Sequence, residues 1–155
     1  MTIPRRRRQA TPPPEQLTQL AEFRYRLRRF LQFSESAAES AGISAQQYQL
    51  LQVIAAVPDQ ESSSISYIAE RMLLRHNSAV ELVDRATRSG LVRRVADERD
   101  LRRSVVEITD HGAQLLTKLV EMHLDEIEQV GPELIAALEP LVAVSTAGDR
   151  GSSIR

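Results

Sequence analysis

Residues 66–112 constrain the fold of this chain more than any other segment, because they begin with two short helices that meet at a tight turn. The apolar spacing predicts helices over residues 66–73 and 78–89, with a break at residues 74–77 and a stop at Gly90. Two such helices, the second presenting its N-terminus, form the unit that enters a DNA major groove. The pattern therefore predicts a helix-turn-helix.

A β-hairpin is predicted directly after this helix pair. Residues 91–95 and 105–108 alternate in the manner of strands, and they flank a polar loop at residues 97–103 that contains three arginines. A hairpin with arginines at its tip, placed beside a helix-turn-helix, is a wing. We therefore expect a mainly α fold with a small two- or three-stranded β-wing.

Charge is strongly segregated, although the formal net charge of the whole chain is only −1. Residues 71–103 carry nine arginines against five acidic residues, a balance of +4, whereas residues 104–149 carry nine acidic residues against Lys118, a balance of −8. A basic segment inside a nearly neutral chain is typical of nucleic-acid binding. The sequence thus indicates double-stranded DNA as a partner.

Long helices are predicted on both sides of this region. Apolar residues recur at helical spacing from Glu15 to Ser40 and again after Thr109, where Gly131-Pro132 and Pro140 are expected to break or end the helix. Ser44 begins a capping box for a further helix, and Ile65 is read as the start of a short strand. The long helices carry apolar stripes that the rest of the chain is too short to cover, which predicts a homodimer.

These patterns divide the chain into five segments. They are a disordered basic arm at 1–14, a dimerisation helix at 15–43, a winged helix-turn-helix at 44–108, C-terminal dimerisation helices at 109–144 and a disordered tail at 145–155.

Several functional classes find no support in the sequence. The chain has no cysteine, no phosphate-cradling glycine loop, no nucleophile elbow and no paired histidines at metal-ligand spacing. No run of 18 apolar residues exists, and prolines follow the basic N-terminal run where a signal peptide needs an apolar stretch. We therefore expect a cytoplasmic protein that is not an enzyme, with no cofactor, no metal and no membrane association.

The predicted DNA contacts fall into two groups. The first surrounds the start of the second short helix, where recognition helices present side chains to bases; its members are Arg75, His76, Asn77, Ser78 and Glu81. The second is the wing tip, with Arg99, Arg102 and Arg103, where arginine reads minor-groove width and phosphates. Asp100 is expected to orient Arg102 or to stabilise the loop.

Each group has a simpler interpretation. Asn77 or Ser78 can be a helix cap alone, Glu81 can be merely exposed to solvent, and a charged hairpin tip can be a solvated loop. Tyr25, Arg28 and Tyr48 are candidates for lining a small-molecule pocket between the first two helices, with ordinary core and surface positions as the alternative.

The wing and the residues after it resemble the MarR family of winged-helix regulators. The resemblance is carried by residues 100–112, Asp-Leu-Arg-Arg-Ser-Val-Val-Glu-Ile-Thr-Asp-His-Gly, which contain the family's D-x-R and a threonine followed three residues later by glycine. Residues 82–85 and 90–94 are similar to its recognition helix and first wing strand. The similarity covers roughly residues 17–142.

The resemblance implies a homodimer whose first, fifth and sixth helices interlock. It also implies binding to a pseudo-palindromic operator, usually with repression, and release of DNA when a small aromatic or anionic compound binds. The family's wing arginine corresponds to Arg102 and its aspartate partner to Asp100. Three departures stand out: the absence of cysteine excludes the peroxide-sensing branch, Ala86 is smaller than usual, and Pro140 interrupts the last helix.

The sequence therefore predicts a sequence-specific transcriptional regulator, most simply a repressor relieved by a ligand. Two alternatives are a small-molecule sensor whose DNA role is secondary and a winged helix that binds protein. Arginines at the wing tip disfavour the second alternative, because a protein-binding wing has no need of them.

Overall fold

The computed structural model describes residues 13–149, with side chains for residues 13–143. The basic arm expected at 1–14 lies outside the described residues except for its last two positions, and so do residues 150–155. The elements, in chain order, are α1 Pro14–Ser40, α2 Ala45–Ala55, α3 Ile65–Arg71, α4 His76–Arg88, β1 Val92–Ala96, β2 Ser104–Ile108 and α5 Asp110–Asp149. The expected fold class, mainly α with a small wing, is confirmed.

The wing is a two-stranded antiparallel sheet. β1 pairs with β2 so that Val92 faces Ile108 and Ala96 faces Ser104. The strand expected at Ile65 is wrong: Ile65 is the first residue of α3, because Ser64 caps that helix by accepting a hydrogen bond from the backbone N–H of Tyr67 at 3.2 Å.

The predicted break at Gly131-Pro132 is also wrong. α5 is one helix of 40 residues that contains Pro132 and Pro140, and it continues to Asp149, into the segment expected to be disordered. A proline removes one helical N–H bond and crowds the preceding turn, but its fixed φ is itself helical. The sequence signal marks a weakened turn and does not by itself end a helix with strong helix formers on both sides.

The chain divides into two compact units, which share α1 and α5. The core unit comprises residues 32–127; the described part of the terminal unit comprises residues 13–31 and 128–149. The largest fully buried side chains of the described chain all lie in the core unit: Tyr48, Leu50, Leu51, Ile68, Leu82, Val83, Leu91, Val92, Val106 and Leu119. This core supports α4 and the wing.

Local sequence signals account for the ends of the core-unit helices. The predicted capping box at Ser44 is confirmed: its hydroxyl accepts from the backbone N–H of Gln47, and the Gln47 side chain accepts from the backbone N–H of Ser44. α4 ends before Gly90, which adopts a left-handed φ of +70°.

The turn between α3 and α4 is a Schellman motif closed by a leucine. The backbone N–H of Leu74 donates to the carbonyl of Ala69 at 2.8 Å, and the N–H of Leu73 donates to the carbonyl of Glu70 at 3.1 Å. Leu73 therefore occupies the left-handed position, with φ +54°, that glycine usually fills. The turn fixes where α4 begins.

The junction between the wing and α5 is held by Thr109 and Gly112. The Thr109 hydroxyl donates toward the carbonyl oxygens of Gly90 and Leu91, at 2.6 and 3.1 Å, and accepts from the N–H of Gly112 at 3.1 Å. A Cβ on Gly112 would lie 2.2 Å from the carbonyl oxygen of Leu91. The spacing of threonine and glycine in the sequence thus has a packing reason.

Candidate nucleic-acid interface

α4 presents one buried face and one exposed face. Ala79, Leu82, Val83 and Ala86 are buried in the core unit. The residues predicted to contact DNA around the start of α4 are all exposed: Arg75, His76, Asn77, Ser78 and Glu81. The helical period that buries the first set places the second set outward.

The start of α4 has no side-chain cap. Its N-cap residue is Arg75, which makes no capping hydrogen bond, and Asn77 and Ser78 lie inside the first turn. The interpretation of Asn77 or Ser78 as the cap is therefore wrong. The first N–H groups of a helix lack intrahelical acceptors, so a phosphate oxygen fits this end of α4 both in hydrogen bonding and in charge.

The nine arginines of the basic segment separate into three classes. Arg93 pairs with Glu107 across the hairpin at 2.9 Å, and Arg94 pairs with Asp84 at 2.8 Å. Arg85 and Arg99 donate to neutral oxygens, those of the Gln46 side chain and the Asp59 backbone. Among the residues with described side chains, no carboxylate lies within 4.0 Å of the others, which are Arg71, Arg75, Arg88, Arg102 and Arg103.

A count of charges along the sequence could not have made this distinction. The pairing of Arg93 follows from the strand register, which places it opposite Glu107, and an alternation pattern alone leaves that register open. The arginines without carboxylate partners include two of the three predicted at the wing tip, Arg102 and Arg103. The guanidinium groups of these arginines make no ion pair with a described carboxylate and are therefore available to a polyanion.

The wing loop is stabilised by its own acidic residues. The Asp97 carboxylate, which is buried, accepts from the backbone N–H of Arg99 at 2.9 Å, and its own N–H donates to the carbonyl of Arg103 at 2.9 Å. Asp100 accepts from the backbone N–H of Arg102 through Oδ1 at 3.1 Å and from that of Arg103 through its carbonyl at 2.8 Å. The contact of Asp100 is thus with the loop backbone, and it leaves the Arg102 guanidinium unoccupied.

The hairpin is anchored to the segment between α2 and α3. Ser63 accepts from the N–H of Val106 through its carbonyl at 3.1 Å, and its hydroxyl donates to the carbonyl of Val106 at 2.6 Å. The guanidinium of Arg99 donates to the carbonyl of Asp59 in the same segment. Arg99 therefore holds the loop in this structure, a role that the sequence did not indicate.

The three ligand candidates lie in different surroundings. Tyr25 and Arg28 are exposed on α1 in the terminal unit, whereas Tyr48 is buried in the core unit with 1% of its surface exposed. The Tyr48 hydroxyl accepts from the Gln52 amide at 3.1 Å, and burial raises the pKa of this phenol. In this structure Tyr48 is a packed core residue.

His123 is a buried polar residue that the sequence did not single out as important. Its ring lies 4.6 Å from that of Tyr48 and 5.4 Å from that of Phe33, between centroids. Nδ1 lies 2.6 Å from the carbonyl oxygen of Leu119, and Nε2 lies 2.8 Å from the hydroxyl of Ser34. Both ring nitrogens of His123 therefore have a hydrogen-bond partner within the core unit.

Comparison with known proteins agrees with this architecture. Residues 41–103, which include α2, the helix-turn-helix and β1, match the sequence model of the MarR family. Residues 41–103 are thus similar to the MarR family in sequence. No curated protein matches the sequence.

Solved structures, among them two of MarR family proteins, share the fold over most of the chain. AbsC, a MarR family transcriptional regulator from Streptomyces coelicolor, is 18% identical, with a TM-score of 0.66 over 91% of this chain and 99% of AbsC. A MarR family protein from Bacillus stearothermophilus is 19% identical, with a TM-score of 0.65 over 90% and 99%. The MepR–DNA complex from S. aureus is 21% identical, with a TM-score of 0.59 over 79% and 92%.

The MarR sequence match ends at Arg103, before β2 and the Thr109–Gly112 junction. Among the residues that the structure describes, no cluster of histidine and acidic side chains is arranged to hold a metal ion. None of the described helices is long and apolar enough to span a bilayer.

Proposed function

We propose that this protein is a sequence-specific DNA-binding transcriptional regulator. In this proposal the first turn of α4 enters a major groove and the wing tip lies over the adjacent minor groove. The observation that supports it best is the coincidence of two features on the core unit: an exposed, uncapped α4 start and two wing arginines, Arg102 and Arg103, without carboxylate partners. MepR, which has a similar fold, was solved as a complex with DNA.

The proposed roles follow from chemistry. His76, Asn77, Ser78 and Glu81 have side chains that exchange hydrogen bonds with base edges, while Arg75 is suited to phosphate. Arg102 and Arg103 suit the negative potential of a narrow minor groove. Asp100 acts as a positioning residue, through its bond to the Arg102 backbone.

The proposed assembly is a homodimer on a pseudo-palindromic operator. The terminal unit exposes large apolar side chains on both of its helical segments, including Leu17 and Ile135, each 59% exposed. The other exposed members are Leu20, Tyr25, Leu31, Leu138 and Val142. A second copy of the same surface is the simplest cover for them, and a two-fold dimer reads a two-fold site.

Repression relieved by a small aromatic or anionic ligand is the finer part of the proposal. It is supported by the family resemblance; the exposed Tyr25 and Arg28 of the terminal unit are its candidate ligand contacts, whereas Tyr48 is packed in the core unit. Thermal denaturation with and without a panel of phenolic acids tests it: a ligand that raises the melting temperature and lowers operator affinity supports relief, and ligands that do neither contradict it.

The experiment that tests DNA reading uses duplex DNA selected from a random pool together with the protein's own upstream region. We expect tight binding to the selected site and weaker binding to scrambled DNA at one fixed salt concentration, by a factor of roughly 10³ or more. Asn77→Ala should lose operator affinity by about 1–3 kcal/mol with little change on scrambled DNA. Equal affinity of the wild type for every duplex contradicts the proposal.

A further inference from the structure

We infer that Leu101, at the tip of the wing, is a further DNA contact that enters the minor groove beside Arg102 and selects A·T over G·C pairs there. This inference rests on the proposed function and adds a specificity-determining residue to it. Leu101 is an apolar side chain among charged neighbours, and the chemistry of the arginines does not explain why it is there.

Leu101 is exposed where the fold gains nothing from an apolar residue. Its side chain is 79% exposed, and it lies in the loop between β1 and β2, outside the hydrophobic core. The hydration of an exposed leucine side chain is unfavourable, and an exposed leucine does not stabilise the hairpin. Single exposed leucines are common on protein surfaces, so it is the position of Leu101, at the loop tip beside Arg102, that points to a contact outside the folded chain.

The loop holds Leu101 in a defined position. The carboxylates of Asp97 and Asp100 accept hydrogen bonds from backbone N–H groups of the loop. The backbones of Asp97 and Arg103 are joined by a further hydrogen bond of 2.9 Å. The adjacent Arg102 and Arg103 have no carboxylate partner among the residues with described side chains. The tip is thus a preorganised projection with an apolar member and two adjacent cations.

The minor groove has the complementary chemistry. Phosphates line its edges, where Arg102 and Arg103 bind, whereas its walls are sugar carbons and its floor at an A·T pair lacks a donor. A G·C pair adds the guanine N2 amino group to this floor, which an apolar side chain neither bonds nor accommodates. Proteins that use this groove often insert leucine and similar side chains beside arginines.

The first test is a pair of substitutions at Leu101 measured on the selected operator. Leu101→Asn should lower operator affinity roughly 5- to 20-fold, because two wings of a dimer each lose part of a buried leucine. Leu101→Met should retain affinity within about 2-fold, since it keeps the apolar volume. The log–log salt slope should stay unchanged in both, because no charge is removed. Circular dichroism and thermal melting confirm folding.

The second test changes the DNA beneath the wing. An A·T to G·C change at that step should weaken the wild type, and an I·C pair, which lacks the minor-groove amino group, should restore it. Leu101→Ala, whose side chain is too short to fill the groove and has no hydrogen-bonding group, should not distinguish the three duplexes by this amino group. A wild type indifferent to the amino group, or a Leu101→Asn variant that binds as tightly as the wild type, overturns the inference while leaving the proposed function intact. A wild type that prefers no duplex overturns both.

Discussion

The left-handed leucine at the helix-turn-helix corner shows how a single residue carries local strain. Leu73 is 94% exposed and adopts φ +54°, a conformation in which the Cβ of an L-residue crowds the following carbonyl. The two hydrogen bonds of the Schellman motif keep it there. Periodicity predicts a break at this point, but it cannot predict which residue takes the left-handed conformation, because that depends on how α4 packs.

We predict that Leu73→Gly stabilises the protein by about 0.5–1 kcal/mol. Glycine removes the energy penalty of the left-handed conformation, about 1–2 kcal/mol. Part of this gain is offset because glycine also raises the conformational entropy of the unfolded chain. Urea denaturation followed by circular dichroism measures the difference. Leu73→Ala is the matched control, since it keeps a Cβ and should not be stabilised; an equal gain in both variants would place the effect elsewhere.

Other residues divide according to whether helical spacing alone fixes their environment. The outward side chains at the start of α4 and the inward Leu82 and Val83 follow from the helical period of 3.6 residues. The tether from Arg99 to the Asp59 carbonyl and the burial of His123 depend on which elements meet across the core unit. No local pattern carries that information.

At the scale of elements, the junction of β1, β2 and α5 determines where the wing stands. Thr109 joins the start of α5 to the carbonyls of Gly90 and Leu91, and Gly112 permits the close approach. The resemblance supplied this threonine and glycine as a motif, and the structure supplies their packing reason. In contrast, the break expected at Gly131-Pro132 is absent, because a proline weakens a helix turn without ending a long helix.

We predict that Gly112→Ala destabilises the protein by about 1–3 kcal/mol, since the new methyl group would overlap a backbone oxygen that cannot move independently of β1. Equilibrium unfolding in urea measures the loss. Gln114→Ala, at an exposed position of the same helix, is the control and should change stability little. A Gly112→Ala variant as stable as the wild type would contradict the packing described at this junction.

For the wing as an element, we predict that Arg102→Ala weakens DNA binding strongly without unfolding the protein. The side chain is exposed and lies outside the core. Loss of one phosphate or minor-groove contact should reduce the log–log salt slope by about one unit. Arg93→Ala provides a comparison, because Arg93 is already paired with Glu107. Unchanged affinity and slope in Arg102→Ala would show that the wing is away from the DNA.

At the scale of the whole molecule, the two compact units differ in how much of each the sequence alone predicts. The core unit encloses its own apolar cluster, and its helices and strands could largely be predicted from periodicity, capping and turn signals. The terminal unit leaves apolar side chains exposed along both of its helical segments. The sequence of one chain is enough to show such an apolar stripe. It does not show what covers the stripe, because that depends on the assembly.

We predict a homodimer that depends on this stripe. Sedimentation at micromolar concentration should give twice the 17.4 kDa of one chain. Ile135→Glu should shift the equilibrium toward monomer, because it would bury an unpaired charge at the interface. Gln129→Glu, at an exposed polar position in the same helix, should leave the dimer intact. A stable, compact wild-type monomer would contradict the proposed assembly.

The central claim, that a dimer of this chain reads DNA with α4 and the wing, is tested most directly by hydroxyl-radical footprinting on the selected operator. We expect two symmetric protected regions centred one helical turn apart, about 34 Å, or a multiple of it, each flanked by minor-groove protection that Arg102→Ala removes. A single asymmetric region, or no protection at concentrations where the folded dimer is present, would contradict the account.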